Sequence, residues 1–153
     1  MENTQSRKAK KVWLASLTPE NLSECVALKV NPEQEYYIAS NSQSIAKAFM
    51  HKTARPFLIM DGETAVGFVM FNVKVEKDFY EIGRFMIDHA YQGRGYGKAA
   101  MGLCMGYLKA AGGNRAVLTC IGDNEPAKQL YRSYGFVPFA QGGDEIDMAA
   151  DLI

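Results

Sequence analysis

Apolar and polar positions change their spacing several times along the chain, and each change predicts a new element. Val12 to Leu17 alternates and predicts a strand, after which apolar residues at helical spacing predict a helix from Thr18 to Val30. Residues 33–41 form a connector, and Ser42 or Ser44 can cap a second helix. The first third of the chain is therefore expected to be β-α-α.

Strand patterns fill the middle of the chain. Arg55 to Met60 and Thr64 to Val73 predict two strands, and Asp61-Gly62 between them is typical of a tight hairpin turn. A charged stretch over residues 74–78 predicts another turn, after which Phe79 to Ile87 predicts a third strand. This part of the chain is expected to add β-β-β.

Helix and strand patterns alternate in the last third. A long helical run ends before Gly112-Gly113, and Arg115 to Ile121 then predicts a central strand that is largely apolar on both faces. Asp123 or Asn124 can cap the next helix, and residues 136–152 predict a final hairpin. The whole order, β-α-α-β-β-β-α-β-α-β-β, predicts a mixed α/β (α+β) sheet with helices on its faces.

Length and composition narrow the class of protein. The 153 residues suit one domain, expected over residues 12–153, with residues 1–11 as a flexible polar lead-in. The formal net charge is zero, which favours neither a nucleic acid nor an anionic membrane as partner. Three widely spaced cysteines indicate neither a disulfide framework nor a metal site, and they fit a reducing cytoplasm. No apolar run approaches the roughly 20 residues of a membrane-spanning helix.

A glycine-rich stretch, Gln92 to Lys98, stands between the strand that ends at Ile87 and the helix that follows. Glycines let the backbone turn sharply, and the first turn of a helix offers unpaired N–H groups to an anion. A turn without a ligand has the same spacing, so spacing alone leaves both interpretations open. A Walker loop is excluded because Ala99 follows Lys98, and a dinucleotide loop is disfavoured because the motif lies past the midpoint of the chain.

Two blocks together resemble the GNAT superfamily of N-acetyltransferases. Gln92-x-x-Gly95-x-Gly97 is similar to the family signature Gln/Arg-x-x-Gly-x-Gly/Ala, and residues 124–136 are similar to its late helix that ends in Tyr-x-x-x-Gly-Phe. The blocks stand in the family's order, and the resemblance covers nearly the whole chain. It implies a mixed, mostly antiparallel sheet with helices on both faces and acetyl-CoA in a V-shaped gap between the fourth and fifth strands.

The resemblance also implies which residues hold acetyl-CoA. Phe85, Met86 and Ile87 would offer backbone groups to the pantetheine arm and to the thioester carbonyl, where a backbone N–H stabilises developing negative charge. Asn124, which can also cap its helix, matches a position that often contacts CoA in relatives. The diphosphate would be cradled by the backbone amides of Gln92, Gly93, Arg94, Gly95, Tyr96, Gly97 and Lys98.

Two side chains are candidates for proton transfer. The resemblance implies that Tyr131 lies near the CoA sulfur, where its phenol would protonate the departing thiolate; a core tyrosine is the alternative. The acceptor amine must lose a proton before it attacks, and Glu81 is the candidate carboxylate, with a water chain as the alternative. Glu81 shares strand parity with Phe85 and Ile87, which predicts that these side chains face the same side.

The acceptor amine is the least specified part of the site. The connector carries Glu33, Glu35, Tyr36 and Tyr37, and the turn before the fourth strand carries Glu76 and Asp78; in relatives these regions border the acceptor. Carboxylates and aromatic rings together suit a polycation, although solvated acidic loops have the same composition.

Short stretches over residues 34–41 and 85–88 also resemble bacterial spermine/spermidine acetyltransferases. The expected activity is acetyl-CoA-dependent acetylation of a primary amine, spermidine or spermine, by direct attack in a cytoplasmic enzyme that can form a homodimer. Acetylation of protein amines or of another small amine is one alternative. A non-catalytic domain that senses acyl-CoA is another.

Overall fold

The computed structural model describes residues 11–152, and its elements follow the order that the sequence predicts. They are β1 (Val12–Ser16), α1 (Leu22–Ala27), α2 (Asn41–Met50), β2 (Ala54–Asp61), β3 (Thr64–Lys74), β4 (Phe79–Ile87), α3 (Tyr96–Ala110), β5 (Arg115–Ile121), α4 (Glu125–Ser133), β6 (Val137–Gly142) and β7 (Glu145–Asp151). Short 3-10 turns lie at Pro32–Gln34, Val75–Lys77 and His89–Tyr91. Apart from Lys11, the expected lead-in lies outside the described residues.

The strands form a seven-stranded sheet in the order β1-β2-β3-β4-β5-β7-β6. Neighbouring strands are antiparallel, except that β4 and β5 are parallel. The predicted mixed, mostly antiparallel sheet is therefore confirmed. The β4–β5 ladder contains a single pair, Glu81 with Val117, so these two strands are hardly joined along their length.

Helices cover both faces of the sheet, and each face has its own core. On one face, α3 packs Met101 and Leu108 against the middle strands, together with residues of α4. On the other face, α1 and α2 cover β2, β3 and β4, with Cys25 beside Phe68 and Met70. Each fully buried apolar side chain of this kind contributes about 1.5–3 kcal/mol to the free energy of folding.

The first helix is shorter than the sequence predicts. Thr18 and Asn21 form a turn of their own, in which the Thr18 N–H donates to Asn21 Oδ1 at 2.8 Å and the Asn21 N–H donates to Thr18 Oγ1 at 3.3 Å. Because this turn comes first, α1 begins at Leu22. At its other end the buried Asn41 donates its amide to the Cys25 carbonyl at 2.8 Å, which ties α1 to the start of α2.

The second helix starts at least two residues earlier than predicted. Its cap is Ser40, not Ser42 or Ser44. The Gln43 N–H donates to the Ser40 hydroxyl at 3.2 Å, and the Ser40 N–H donates to the Gln43 side chain at 3.2 Å. This capping box is a local pattern, Ser-x-x-Gln, that the sequence analysis overlooked.

The fifth strand is central in the sheet, as predicted, but only one of its faces is buried. Ala116, Leu118 and Cys120 are buried on the α3 face. Thr119, on the opposite face, is exposed and donates its hydroxyl to Asp147 at 2.6 Å. The cluster beneath α1 and α2 contains no residue of β5, so this face of the strand is open.

A bulge interrupts the pairing of β3 with β4. Met70 pairs with Arg84, whereas the next residue, Phe71, pairs with Ile82. Gly83 therefore has no partner in the ladder. An extra residue of this kind bends its strand and inverts the alternation of side chains beyond it. The bend falls in the part of β4 that lies beyond its single contact with β5.

The bulge overturns one expectation from the sequence. Glu81 pairs directly with Asn72, so both side chains lie on the α1–α2 face, and Arg84 joins them there beyond the bulge. Phe85 and Ile87 pack against the core of the opposite face. The prediction that Glu81 faces the same side of the sheet as Phe85 and Ile87 is therefore wrong.

Within residues 11–152, no helix combines the length and the apolar character that crossing a bilayer requires. In the same range, no three or more His, Cys, Asp and Glu side chains are grouped as metal ligands. Cys25, Cys104 and Cys120 are free and buried. Burial raises the pKa of the Cys25 thiol to about 11, so this thiol stays protonated and unreactive at neutral pH.

Candidate active site

A cleft of about 700 Å³ opens where β4 and β5 separate. Residues 81–87 of β4 line one wall, and residues 118–121 of β5 line the other. Three further segments complete the lining: the α1–α2 connector, the loop before α3, and the first turns of α4. A volume of this size is typical of a site for a small molecule or cofactor.

The loop before α3 is shaped by two glycines with positive φ. Gly93 has φ 76° and Gly95 has φ 86°, a region in which other residues are strained. A Cβ added to either glycine would meet nothing within 4 Å. The two glycines are therefore needed for the conformation of the backbone and not to make room for neighbouring protein atoms.

The start of α3 offers amides to an anion. The first hydrogen bond within the helix runs from the Ala99 N–H to the Gly95 carbonyl, at 3.2 Å. The N–H groups of Gly97 and Lys98 come before it, so they have no acceptor inside the helix. Gly97 also lines the cleft. These amides and the positive end of the helix dipole suit the diphosphate of a CoA molecule.

Two side chains of this loop are engaged within the protein. The Gln92 amide donates to the Ile87 carbonyl at 2.9 Å and to Gln34 Oε1 at 2.9 Å, so it ties the loop to β4 and to the connector. Tyr96 is buried, and its hydroxyl donates to a carboxylate oxygen of Asp61 at the end of β2. That hydrogen bond, followed by burial, raises the pKa of Tyr96 to about 12. Both side chains fix the loop in place.

Tyr131 lies where α4 meets the cleft. Its ring packs edge-on against Phe136, with the ring centroids 6.0 Å apart, and it lines the cleft together with Cys120. Burial, followed by the nearby Cys120 and Cys104, raises the pKa of the Tyr131 hydroxyl well above its usual value. The phenol therefore keeps its proton at neutral pH, which is the form that a general acid requires.

Glu81 is held by a residue that the sequence analysis did not identify. The Asn72 amide donates to Glu81 Oε1 at 2.8 Å. Gly83 leaves room for this amide, because a Cβ at position 83 would lie 2.7 Å from Asn72 Nδ2. The bulge thus directs Glu81 to the α1–α2 face and also accommodates the side chain that orients it.

The α1–α2 connector reaches the β5 side of the cleft. The Tyr36 hydroxyl donates to a carboxylate oxygen of Asp144 in the turn between β6 and β7. The hydrogen bond to Asp144 raises the pKa of Tyr36, and partial burial with the nearby Asp123 carboxylate raises that of Tyr37. The rings of Tyr36 and Tyr37 are 5.6 Å apart. These contacts hold aromatic side chains over the mouth of the cleft.

Most of the residues that the sequence predicts for the site meet in this cleft. Its lining includes Glu35, Tyr37, Glu81, Phe85, Met86, Ile87, Gln92, Gly93, Tyr96, Gly97, Asn124 and Tyr131. The lining does not include Glu33, Glu76, Arg94, Gly95 or Lys98. All five are exposed. The roles of these five residues in binding therefore stay predictions. The individual roles of the residues that line the cleft are predictions as well.

The cleft also contains residues that the sequence analysis missed. Arg84 and Glu145 line it, and Asn72 holds the candidate base. Each is placed by pairing between strands or by contacts across the fold, which local patterns do not record. A glycine inside a strand pattern, as at Gly83, is the sequence signal that could have indicated the bulge.

A mixed sheet that opens between parallel strands, beside a helix start that can bind an anion, defines the class of acyl-CoA-dependent acyltransferases. A family model described as "Acetyltransferase (GNAT) family" matches residues 14–136. The chain belongs to this family, as the sequence predicts. The family uses acetyl-CoA, and the cleft and the loop amides fit that cofactor.

Individual relatives are distant. The mycothiol acetyltransferase of Corynebacterium glutamicum (strain R) is 30% identical over 108 residues, which make up 69% of this chain and 36% of that protein. This chain thus spans about a third of the length of that relative.

Solved structures share the fold at low identity. The spermidine N-acetyltransferase from Vibrio cholerae, in complex with CoA and spermine, is 19% identical with a TM-score of 0.75, covering 93% of this chain and 96% of that one. The ribosomal-protein-S18-alanine N-acetyltransferase from Escherichia coli is also 19% identical, with a TM-score of 0.72 and coverage of 92% and 94%. Their names point to different acceptors, so likeness of fold does not select one.

Proposed function

We propose that this chain is an acetyl-CoA-dependent N-acetyltransferase that acts on a primary amine by direct attack. The observation that carries the proposal is the opening of the sheet beyond the pair Glu81–Val117, next to the amides that begin α3. Bound acetyl-CoA supplies an acetyl group that is already activated as a thioester. Backbone groups of Phe85, Met86 and Ile87 would hold the pantetheine arm, and the loop amides would hold the diphosphate.

Two side chains move protons in this proposal. Glu81, oriented by Asn72, accepts the proton that the amine loses before it attacks the acetyl carbon. Tyr131 donates its proton to the sulfur as the carbon–sulfur bond breaks, and its raised pKa means that it enters the reaction protonated. Glu81 lies on the α1–α2 face, whereas Tyr131 packs against the opposite core. Amine and thiol would therefore meet in the opening from opposite faces of the sheet.

The acceptor that the sequence favours is spermidine or spermine. Glu35, Glu81 and Glu145 line the cleft together with Tyr36 and Tyr37. Carboxylates beside aromatic rings suit a polycation through charge pairing and cation–π contact. The spermine in the Vibrio cholerae structure supports the same candidate. The proposal also includes a homodimer and a cytoplasmic location. Sedimentation analysis tests whether the chain forms the dimer.

Calorimetric titration with acetyl-CoA, followed by an assay of thiol release across a panel of amines, tests the proposed activity. The panel contains spermidine, spermine, a peptide with a free N-terminus, a lysine peptide and an aminoglycoside. We expect saturable binding and turnover of at least one small amine. Binding without turnover of any amine would favour an acyl-CoA sensor, and turnover of peptides alone would favour a protein acetylase. Absence of binding would refute the proposal.

A further inference from the structure

Arg84 is a cation in the cleft that the proposed reaction does not use. It lies on β4 directly after the Gly83 bulge, and its Nη1 donates to the Gly83 carbonyl at 2.8 Å. Its Nε is buried and has no hydrogen-bond partner among residues 11–152. The ion pair found in that range joins Lys128 to Glu125 and does not involve Arg84. The guanidinium therefore keeps one unsatisfied donor and forms no ion pair within residues 11–152.

Such a group requires an explanation in a folded protein. Arg84 as a whole is half-buried, but its Nε is buried, and most buried polar atoms have a hydrogen-bond partner. Three carboxylates, those of Glu35, Glu81 and Glu145, line the same cleft, yet none forms an ion pair with Arg84. The flat fork of a guanidinium matches the two oxygens of a carboxylate. The missing partner is therefore expected to be an oxyanion that a ligand brings.

The position of Arg84 indicates which ligand brings it. The diphosphate of CoA is assigned to the start of α3, after the far end of β4. Arg84 instead shares the α1–α2 face with Glu81, the proposed base. Along β3, their pairing partners Met70 and Asn72 are two residues apart, which corresponds to about 7 Å. A base and a cation at this spacing suit a molecule whose amine and anion are separated by a few bonds.

We propose that Arg84 binds an oxyanion of the acceptor itself, so that the preferred substrate is a small primary amine that also carries a carboxylate. The inference rests on the proposed N-acetyltransferase activity, but it replaces the polyamine acceptor with another class of amine. It ranks aminocarboxylates ahead of spermidine and spermine, which offer no anion to Arg84 and bring further positive charge towards it. Arg84 is then the residue that sets specificity, and Glu81 serves the amine end of the same molecule.

Matched acceptors test this assignment. Glycine, β-alanine and γ-aminobutyrate are compared with their primary amides, and O-phosphoethanolamine shows whether a phosphate serves as well as a carboxylate. In the wild type we expect kcat/KM to favour the acids over the amides by about 10- to 100-fold, the range of a charge-assisted hydrogen bond. Arg84→Met removes the charge at similar length and should abolish the preference. Arg84→Lys keeps the charge without the fork and should retain part of it.

A control variant and a binding measurement separate the possible outcomes. Arg55→Met removes an exposed arginine outside the cleft lining and should leave the preference unchanged. Calorimetric binding of the same ligand pairs, with CoA present, gives a readout that does not need turnover. If acids bind more tightly than amides through Arg84 but no amine is acetylated, the anion site stands and the proposed chemistry fails.

Other results would overturn the inference and leave the proposed function intact. These are turnover of spermidine with no preference for acids, or a preference for acids that persists unchanged in Arg84→Met. Thermal unfolding and acetyl-CoA affinity confirm that each variant is folded. Should Arg84→Met fail to fold, the wild-type discrimination and its reduction in Arg84→Lys decide the question.

Discussion

Gly83→Ala probes the bulge and the residue pair that depends on it. A Cβ at position 83 would lie 2.7 Å from Asn72 Nδ2 and 3.3 Å from the Met70 carbonyl oxygen. Ordinary contact begins at 3.4 Å, so the Asn72 amide must withdraw by about 0.7 Å. A displacement of that size, if directed away from Glu81, lengthens the 2.8 Å hydrogen bond from Asn72 to about 3.5 Å, well beyond the usual limit of about 3.2 Å, and so weakens it strongly.

The expected cost follows from the weakening of that bond. A hydrogen bond to a charged group contributes about 1.5–3 kcal/mol to the free energy of unfolding. Because Asn72 and Glu81 are partly exposed to water, we expect their bond to contribute about 1.5 kcal/mol, the lower end of this range. In a chain of this length the midpoint of thermal unfolding should fall by about 3–6 °C. Because Glu81 is then free to move from the amine, turnover should also fall, by about 10-fold, with little change in acetyl-CoA affinity.

Scanning calorimetry and initial-rate kinetics measure both effects, and two comparisons control them. Gly142→Ala adds a Cβ in a strand where it meets nothing within 4 Å, and it should leave stability and turnover unchanged. In an Asn72→Ala background the amide is gone, so Gly83→Ala should cost about 1 kcal/mol less than in the wild type. An equal cost in both backgrounds, or wild-type behaviour of Gly83→Ala, would refute the reasoning.

Substitutions at three further positions address the general acid, the cofactor loop and the side chain that anchors the loop. Tyr131→Phe should lower turnover by about 10²-fold while acetyl-CoA affinity and the unfolding midpoint stay close to wild type; unchanged turnover in steady-state assays would remove Tyr131 from the mechanism. Gly95→Val forces a branched residue to φ 86° and should weaken acetyl-CoA binding by at least about 10-fold in calorimetry, whereas Gly95→Asn, which tolerates this region, should bind better than Val. Tyr96→Phe removes the hydrogen bond to Asp61 and should lower the free energy of unfolding by about 1.5–3 kcal/mol at neutral pH. The pKa of Tyr96 is raised to about 12. In urea unfolding, the difference in free energy of unfolding between wild type and Tyr96→Phe should therefore be complete below a pH of about 10 and should shrink as the pH rises towards 12. A difference that grows over this range would contradict the assignment.

Local patterns in the sequence determined the elements and the cofactor loop. The bounds of β4 and β5 agree with the prediction, because strand alternation and flanking turns are local signals. The glycines of the loop were identified for the same reason, since a positive φ is a property of one residue and its neighbours. The Asn124 cap was likewise among the predicted alternatives, and its side chain accepts from the Ala127 N–H at 3.4 Å.

The tertiary structure alone decided which side chains share the cleft. Strand parity is a count along one strand, and the unpaired Gly83 became visible only through the pairing of β4 with β3. That pairing moved Glu81 to the face opposite Phe85, brought Asn72 against it, and left the Nε of Arg84 in the cleft with no hydrogen-bond partner among residues 11–152. The reach of Tyr36 to Asp144, 108 positions away, has no local signature at all. Backbone conformation is encoded residue by residue, whereas the composition of a binding cleft depends on register and on distant segments that only the folded chain brings together.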